Sequence, residues 1–236
     1  MTQNALTSMS PLNNRATVLM IRGIFGVSCR CRFLGMRHRP RPGEPAVLAV
    51  AHLSHYDPVC ASALLRRRID WVARAEFYDA PVSRWFVEHA ACVKIDRYGP
   101  ALPGIREGLS RLNQDRLLGI FPDGEIMRGD DSVLRGASVK AGAAVLARWA
   151  AVRRGAPVPI VPCVVLGCDQ FRRVLPWLPI KAGRLWIGLG EPIAVAPEAR
   201  PGRATRREVS RRVAEGLRGV LARMQDEFDI PDEVLP

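Results

Sequence analysis

The stretch Ala46-Val47-Leu48-Ala49-Val50-Ala51-His52-Leu53-Ser54-His55-Tyr56-Asp57-Pro58 decides how the chain is read. Its apolar run from Ala46 to Ala51 has no polar interruption, which suits a strand buried on both faces of a sheet. His52 then falls at the carboxyl end of that strand, where open α/β sheets place their ligands. Asp57-Pro58 opens the helix that follows. A loop this short folds Asp57 back onto the His52 imidazole, holding one tautomer and leaving the other ring nitrogen to take a proton from a hydroxyl. Asp57 before Pro58 is equally the pattern of an N-cap with proline at the first helical position, a role compatible with catalysis.

Moving outward, helical and strand patterns alternate. Val59 to Arg67 reads as a helix, Ile69 to Ala73 as a strand, and a further helix starts at Pro81 before the strand Ala91 to Ile95. Leu102, Ile105, Leu109 and Leu112 recur at helical spacing, and Leu117 to Phe121 is the next buried strand. Val139 to Val152 predicts an alanine-rich helix, Val158 to Leu166 and Leu185 to Leu189 two strands, and Arg206 to Phe228 a long basic helix. Pro159 and Pro162 place Val158 to Leu166 at an edge or a bulge. The expected fold class is α/β, with a mixed, largely parallel central sheet flanked by helices.

Upstream, Ala16 to Met36 is apolar but broken by Arg22, Arg30 and Arg32, so it offers no uninterrupted span for a bilayer. Val18, Ile21, Phe25 and Cys29 recur at helical spacing beside a basic flank at Arg37, His38, Arg39 and Arg41. Two readings stay open: an amphipathic helix lying in an anionic membrane surface, or a helix packed on the core. On the first, residues 1–42 form a membrane-associating segment and residues 43–236 the functional domain. The first 14 residues are polar and lack a signal-peptide pattern.

The 236 residues carry 35 Lys and Arg against 23 Asp and Glu, a formal charge of +12, which implies an anionic partner. Aromatic residues, at 6%, are not interleaved with the basic runs, so no stacking platform for single-stranded nucleic acid is expected. The six cysteines, Cys29, Cys31, Cys60, Cys92, Cys163 and Cys168, never form a Cys-x-x-Cys pair and read as reduced residues of a cytoplasmic protein. No metal site is expected. A hydrolase using His52, His55 and Asp57 as metal ligands is the alternative, weakened because His38 and His89 lie in no ligand-like cluster.

Further clusters follow the strands. Val93-Lys94-Ile95-Asp96-Arg97 sets Lys94 and Arg97 where a strand ends, a pairing suited to a phosphate or, equally, to a surface ion pair with Asp96. Phe121-Pro122-Asp123-Gly124-Glu125-Ile126-Met127-Arg128 is a strand end turned by Pro122 and Gly124. Val158-Pro159-Ile160-Val161-Pro162 is apolar and rigid, suited to an acyl channel or to a core strand.

In this order the clusters resemble the glycerophospholipid acyltransferase family over about Ala46 to Ile193. His52 and Asp57 match its His-x-x-x-x-Asp motif, Lys94 to Arg97 its second motif, Phe121 to Ile126 its Phe-Pro-Glu-Gly-Thr-Arg motif and Val158 to Pro162 its proline-bearing strand. Lys140-Ala141-Gly142-Ala143 and Gly190-Glu191-Pro192-Ile193 resemble two later segments. The chain departs from the pattern with Ala51 for Asn, Asp123 for Glu, and Glu125 and Ile126 for Thr and Arg, so that Arg128 is the nearest cation to replace the missing arginine. The resemblance implies transfer of an acyl group from an acyl-CoA or acyl-carrier-protein thioester to a lyso-lipid hydroxyl, with no cofactor, at the cytoplasmic face of an anionic membrane. It implies His52 and Asp57 as catalytic residues, and Lys94, Arg97, Phe121, Pro122, Asp123, Gly124 and Arg128 as substrate-binding ones. The altered third motif keeps a second reading open, a family member that binds lysolipid without turnover.

Overall fold

A computed structural model describes residues 19, 29–65, 67–90, 92–96, 102–169, 183–197 and 203–236. In chain order its strands and helices are β1 (Cys29–Leu34), β2 (Ala46–Val50), α1 (Asp57–Leu65), β3 (Ile69–Arg74), α2 (Pro81–His89), β4 (Val93–Ile95), α3 (Leu102–Asn113), β5 (Leu117–Ile120), α4 (Gly142–Arg154), β6 (Val158–Leu166), β7 (Gly183–Leu189), β8 (Ile193–Val195) and α5 (Arg203–Glu227). The strands form one eight-stranded sheet in the order β1-β7-β6-β2-β5-β3-β4, with β8 paired to β6. The run β6-β2-β5-β3-β4 is parallel throughout. Both β7 and β8 are antiparallel to β6, while β1 is parallel to β7. The sheet is therefore mixed and mostly parallel, as expected.

Strand β2 lies at its centre. Val47 and Ala49 join the core beneath α3, α4 and α5, whereas Ala46, Leu48 and Val50 join the core beneath α1. All five are buried, which explains the absence of polar residues from this run. Each parallel strand of the central run ends on the same side of the sheet, and the loops after β2, β5 and β6 meet there.

Two expectations fail. Strand β6 is not an edge but an interior strand with β2 on one side and β7 and β8 on the other, and the irregularity lies in its antiparallel partner, where residues 190–192 stand against Val161 and Pro162. Its prolines are accommodated by position. The Pro162 carbonyl accepts from Gly190 N at 2.8 Å, so its backbone faces the side where β8 pairing ends at Ile160 and β7 pairing starts at Cys163. Pro159 precedes the first β2 partner pair, Val47 with Ile160. The missing Pro162 N–H falls in the gap between the two antiparallel ladders, and that of Pro159 ahead of the parallel one.

The second failure concerns the boundary after residue 42. Residues 29–34 are a strand of the sheet, so the domain begins at least as early as Cys29. Helical spacing drew Cys29 into the upstream pattern, but from Cys29 to Arg32 inward and outward residues alternate, the period of a strand. Apart from Leu19, residues 1–28 lie outside the described residues. Among the described residues no helix is long and apolar enough to cross a membrane.

Candidate active site

The loop after β2 turns its side chains back on themselves. One carboxylate oxygen of Asp57, Oδ2, accepts hydrogen bonds from Leu53 N and Ser54 N at 2.8 Å each, and lies 3.1 Å from His52 Nδ1. These bonds run backward along the loop and none runs forward into α1, so the carboxylate serves the histidine loop and the N-cap reading fails. Asp57 is wholly buried, His52 is 14% exposed at its side chain, and the turn is closed by Asp57 N donating to Ser54 O. With Nδ1–H directed at the carboxylate, Nε2 is left as the acceptor; among the described residues it has no hydrogen-bond partner.

Phe121, at the end of β5, lies flat against the imidazole, with ring centroids 3.9 Å apart and planes 21° apart. Trp71 of β3 stacks behind Phe121 at 5.0 Å, anchored by its Nε1–H donating to Ser62 Oγ at 2.9 Å. The ring of His52 therefore has a fixed wall on one face and a fixed acceptor at Nδ1. Such immobilisation is what a general base requires.

Asp123 does not face a substrate. It is 6% exposed, and its two oxygens accept from His52 N at 3.1 Å and Val133 N at 3.2 Å. Burial raises its pKa from the ordinary carboxylate value, against the lowering effect of those two N–H donors. Its role is to clamp the backbone of the histidine to the segment after β5. The loops are tied again where Met127 N donates to His52 O at 3.0 Å.

Pro122 is buried beneath the same turn, and its carbonyl accepts from Lys140 N. Gly124 holds a left-handed backbone at φ +85°, and a Cβ there would fall 2.4 Å from Lys140 Nζ. The turn needs glycine for both reasons. Arg128 donates to Leu53 O at 3.0 Å and forms an ion pair with Asp169. Its charge is met within the protein, so it braces the His52 loop.

Lys94 sits on edge strand β4, three inter-strand steps from β2 in the sheet order. At ~4.8 Å per step that is ~14 Å from the strand that carries His52. Its ammonium rests 5.1 Å from the Tyr78 ring centroid. Arg97 lies outside the described residues. The structure thus gathers His52, Asp57, Phe121, Pro122, Asp123, Gly124 and Arg128 into one site and leaves Lys94 at its periphery.

Three neighbours escaped the reading of the sequence as site residues. Trp71 reaches the site only because β3 lies beside β5, Asp169 only because β6 lies beside β2, and neither pairing has a local signal. Lys140 had one, in the Lys-x-Gly-x segment. Among the described residues, no group of three or more His, Cys, Asp or Glu is placed to hold a metal ion.

Residues 30–166, more than half of the chain, match the family model described as Acyltransferase. The chain belongs to the acyltransferase family. The matched region contains every residue of the site except Asp169. Among solved structures, the acyltransferase resembles the 1-acyl-sn-glycerophosphate acyltransferase of Thermotoga maritima, with a TM-score of 0.62 and 16% identity over 96% of this chain and 88% of that one. At that identity the likeness establishes a shared fold. No curated protein matches the chain significantly.

Proposed function

We propose that this acyltransferase moves a fatty acyl group from a thioester, carried on coenzyme A or acyl carrier protein, to the hydroxyl of a lyso-lipid of the lysophosphatidate type. The observation that carries this reading is the His52–Asp57 pair, a buried carboxylate 3.1 Å from Nδ1 of a ring whose Nε2 is unengaged among the described residues. Nε2 takes the proton of the acceptor hydroxyl as its oxygen attacks the thioester carbonyl. The C–O bond forms, the C–S bond breaks, and the imidazolium returns the proton to the departing sulfur. Asp57 keeps the tautomer and stabilises the imidazolium without itself taking the proton. The substrate supplies the nucleophile, so no serine or cysteine of the protein is required, and no cofactor enters the reaction.

Because Arg128 is paired with Asp169, we assign head-group recognition to Lys94 on β4 and to Arg97, and give Arg128 a positioning role. The reaction runs at the cytoplasmic face of a membrane, with the protein bound peripherally. Sheet geometry supports this. β1 runs with β7 and against β6 and β2, so Cys29, its first residue, lies at the same end of the sheet as His52. The amphipathic segment that precedes Cys29 thus joins the domain on the side where a lipid acceptor is consumed.

The test is thiol release by the purified protein with long-chain acyl-CoA or acyl carrier protein donors and a panel of lyso-lipids, beside His52→Ala. Release should depend on an acceptor and fall by ~10² to 10⁴ in the variant. Release equal in the variant would overturn the assignment of the base. Acceptor binding without any release would favour a lysolipid-binding protein instead.

A further inference from the structure

Away from the catalytic loops, a cavity of about 500 Å³ opens between residues 136–141 and the amino-terminal half of α5. Arg206, Arg207, Arg211 and Arg218 line it, with Ser210 among them and no acidic side chain in the lining. Arg207 and Arg211 are one helical turn apart, and Arg218 lies two turns beyond Arg211, which puts the three on one stripe of the helix. Among the described residues Arg206 and Arg207 have no ion pair. Arg218 spends one N–H on Val133 O at 3.4 Å, and Arg211 is paired with Glu208 and Glu215 on the exposed side of the helix. Ser210 Oγ is buried without a hydrogen-bond partner among the described residues. Such a concentration of guanidinium groups in a concavity, with a spare hydroxyl between them, is complementary to phosphoryl oxygens. Its volume is that of a ligand larger than one phosphate.

The position of the cavity selects the source of the phosphate. Its opposite wall, residues 136–141, is the loop that crosses to the catalytic turn, where Lys140 N bonds Pro122 O and Lys140 Nζ lies against Gly124. Arg218 and Asp123 hold the two sides of a single residue, Val133, through its carbonyl and its N–H. A ligand in the cavity is therefore one loop away from His52. A nucleotide-carried thioester has this shape, with phosphoryl groups at one end of a long arm and the reactive carbon at the other.

We propose that the cavity between residues 136–141 and α5 binds the phosphorylated nucleotide end of a coenzyme A thioester donor. The assignment rests on the acyltransferase reading, yet its test is a binding measurement that needs no turnover. Adenosine 3′,5′-bisphosphate, which carries the phosphates without the thioester arm, is titrated calorimetrically into the full chain, into Arg206→Gln/Arg207→Gln, into Ser210→Ala and into His52→Ala. Circular dichroism checks that each variant is folded. The double variant should bind at least tenfold more weakly, Ser210→Ala severalfold more weakly, and His52→Ala as the parent does. Affinity should fall as salt is raised, and inorganic phosphate should compete only at much higher concentration. Binding unchanged in the double variant would overturn the proposal, as would absence of binding at millimolar ligand. So would loss of anionic-vesicle binding in the double variant with bisphosphate binding intact, which would make the arginines a membrane contact. Failure of turnover with bisphosphate binding present would instead count against the acyl-transfer reading alone.

Discussion

Replacing Asp57 by Asn tests the central pair most directly, because the structure separates its two duties. Oδ2 is the shared acceptor for His52 Nδ1, Leu53 N and Ser54 N, while Oδ1 is buried without a hydrogen-bond partner. An asparagine is compelled to set its carbonyl oxygen at the Oδ2 position, since its NH₂ there would oppose two N–H donors. Loop geometry and tautomer are then retained, and only the negative charge is lost. At 3.1 Å a unit charge and an imidazolium attract by about 5 kcal/mol at an effective dielectric of about 20. A neutral hydrogen bond restores about 1 kcal/mol of that. The remaining ~4 kcal/mol, at about 1.4 kcal/mol per decade, predicts a fall in kcat of about 10³ with KM little changed. The assay is steady-state thiol release with acyl-CoA and a saturating lyso-lipid, with the fold checked by thermal unfolding. A kcat within tenfold of the parent, in a folded variant, would refute the claim that this carboxylate stabilises the imidazolium. Asp57→Ala should additionally lower the unfolding free energy, by about 1–3 kcal/mol for each of the two backbone N–H groups it strands.

Three other expectations concern the supports of the site. Asp123→Asn keeps one carbonyl for two donors, His52 N and Val133 N, and should cost about 1–3 kcal/mol in urea unfolding. Because burial raises the Asp123 pKa in the folded state, the fold binds more protons than the unfolded chain just above the ordinary value of 3.8. This residue's contribution to stability therefore falls as pH rises through that window, and the slope it adds should vanish in the Asn variant, read from unfolding curves between pH 4 and 7. Gly35→Ala would place a Cβ 2.1 Å from Leu189 O at a φ of +67°, and should lower stability by at least about 2 kcal/mol, seen as a reduced Tm, by forcing β1 from β7. Burial pushes the Cys29 thiol up to about 11, and raises Cys31, Cys92, Cys163 and Cys168. Cys163 and Cys168 are buried as well, so iodoacetamide should alkylate these two only after denaturant is added, as mass spectrometry would show.

The sheet was legible where burial on two faces removed every polar residue, as from Ala46 to Val50. It was misread where position overrides propensity. Pro162 looks incompatible with an interior strand until the chain is seen to exchange β8 for β7 at that residue. At the site, His52 and Asp57 could be joined from spacing alone because the loop between them is short. Phe121 was placed in the cleft, but its stacking on the imidazole follows from β5 lying beside β2, a relation between distant segments. The family resemblance implies Asp123 as a substrate-binding residue. Only the folded arrangement shows both its oxygens occupied by backbone donors. Arg128 was equally visible as a cation, but Asp169, which meets its charge, belongs to the end of another strand.

The edge strand β1 also sets an order of events. Cys29 pairs with Gly183 and Leu34 with Gly188, so the earliest described strand has no partner until one of the latest has been synthesised. The pairings of β2 with β5, β5 with β3 and β3 with β4 join segments closer along the chain, while β2 also waits for β6. During translation β1 therefore emerges well before its partner, and pairing the two closes a loop that contains most of the domain, at an entropic cost.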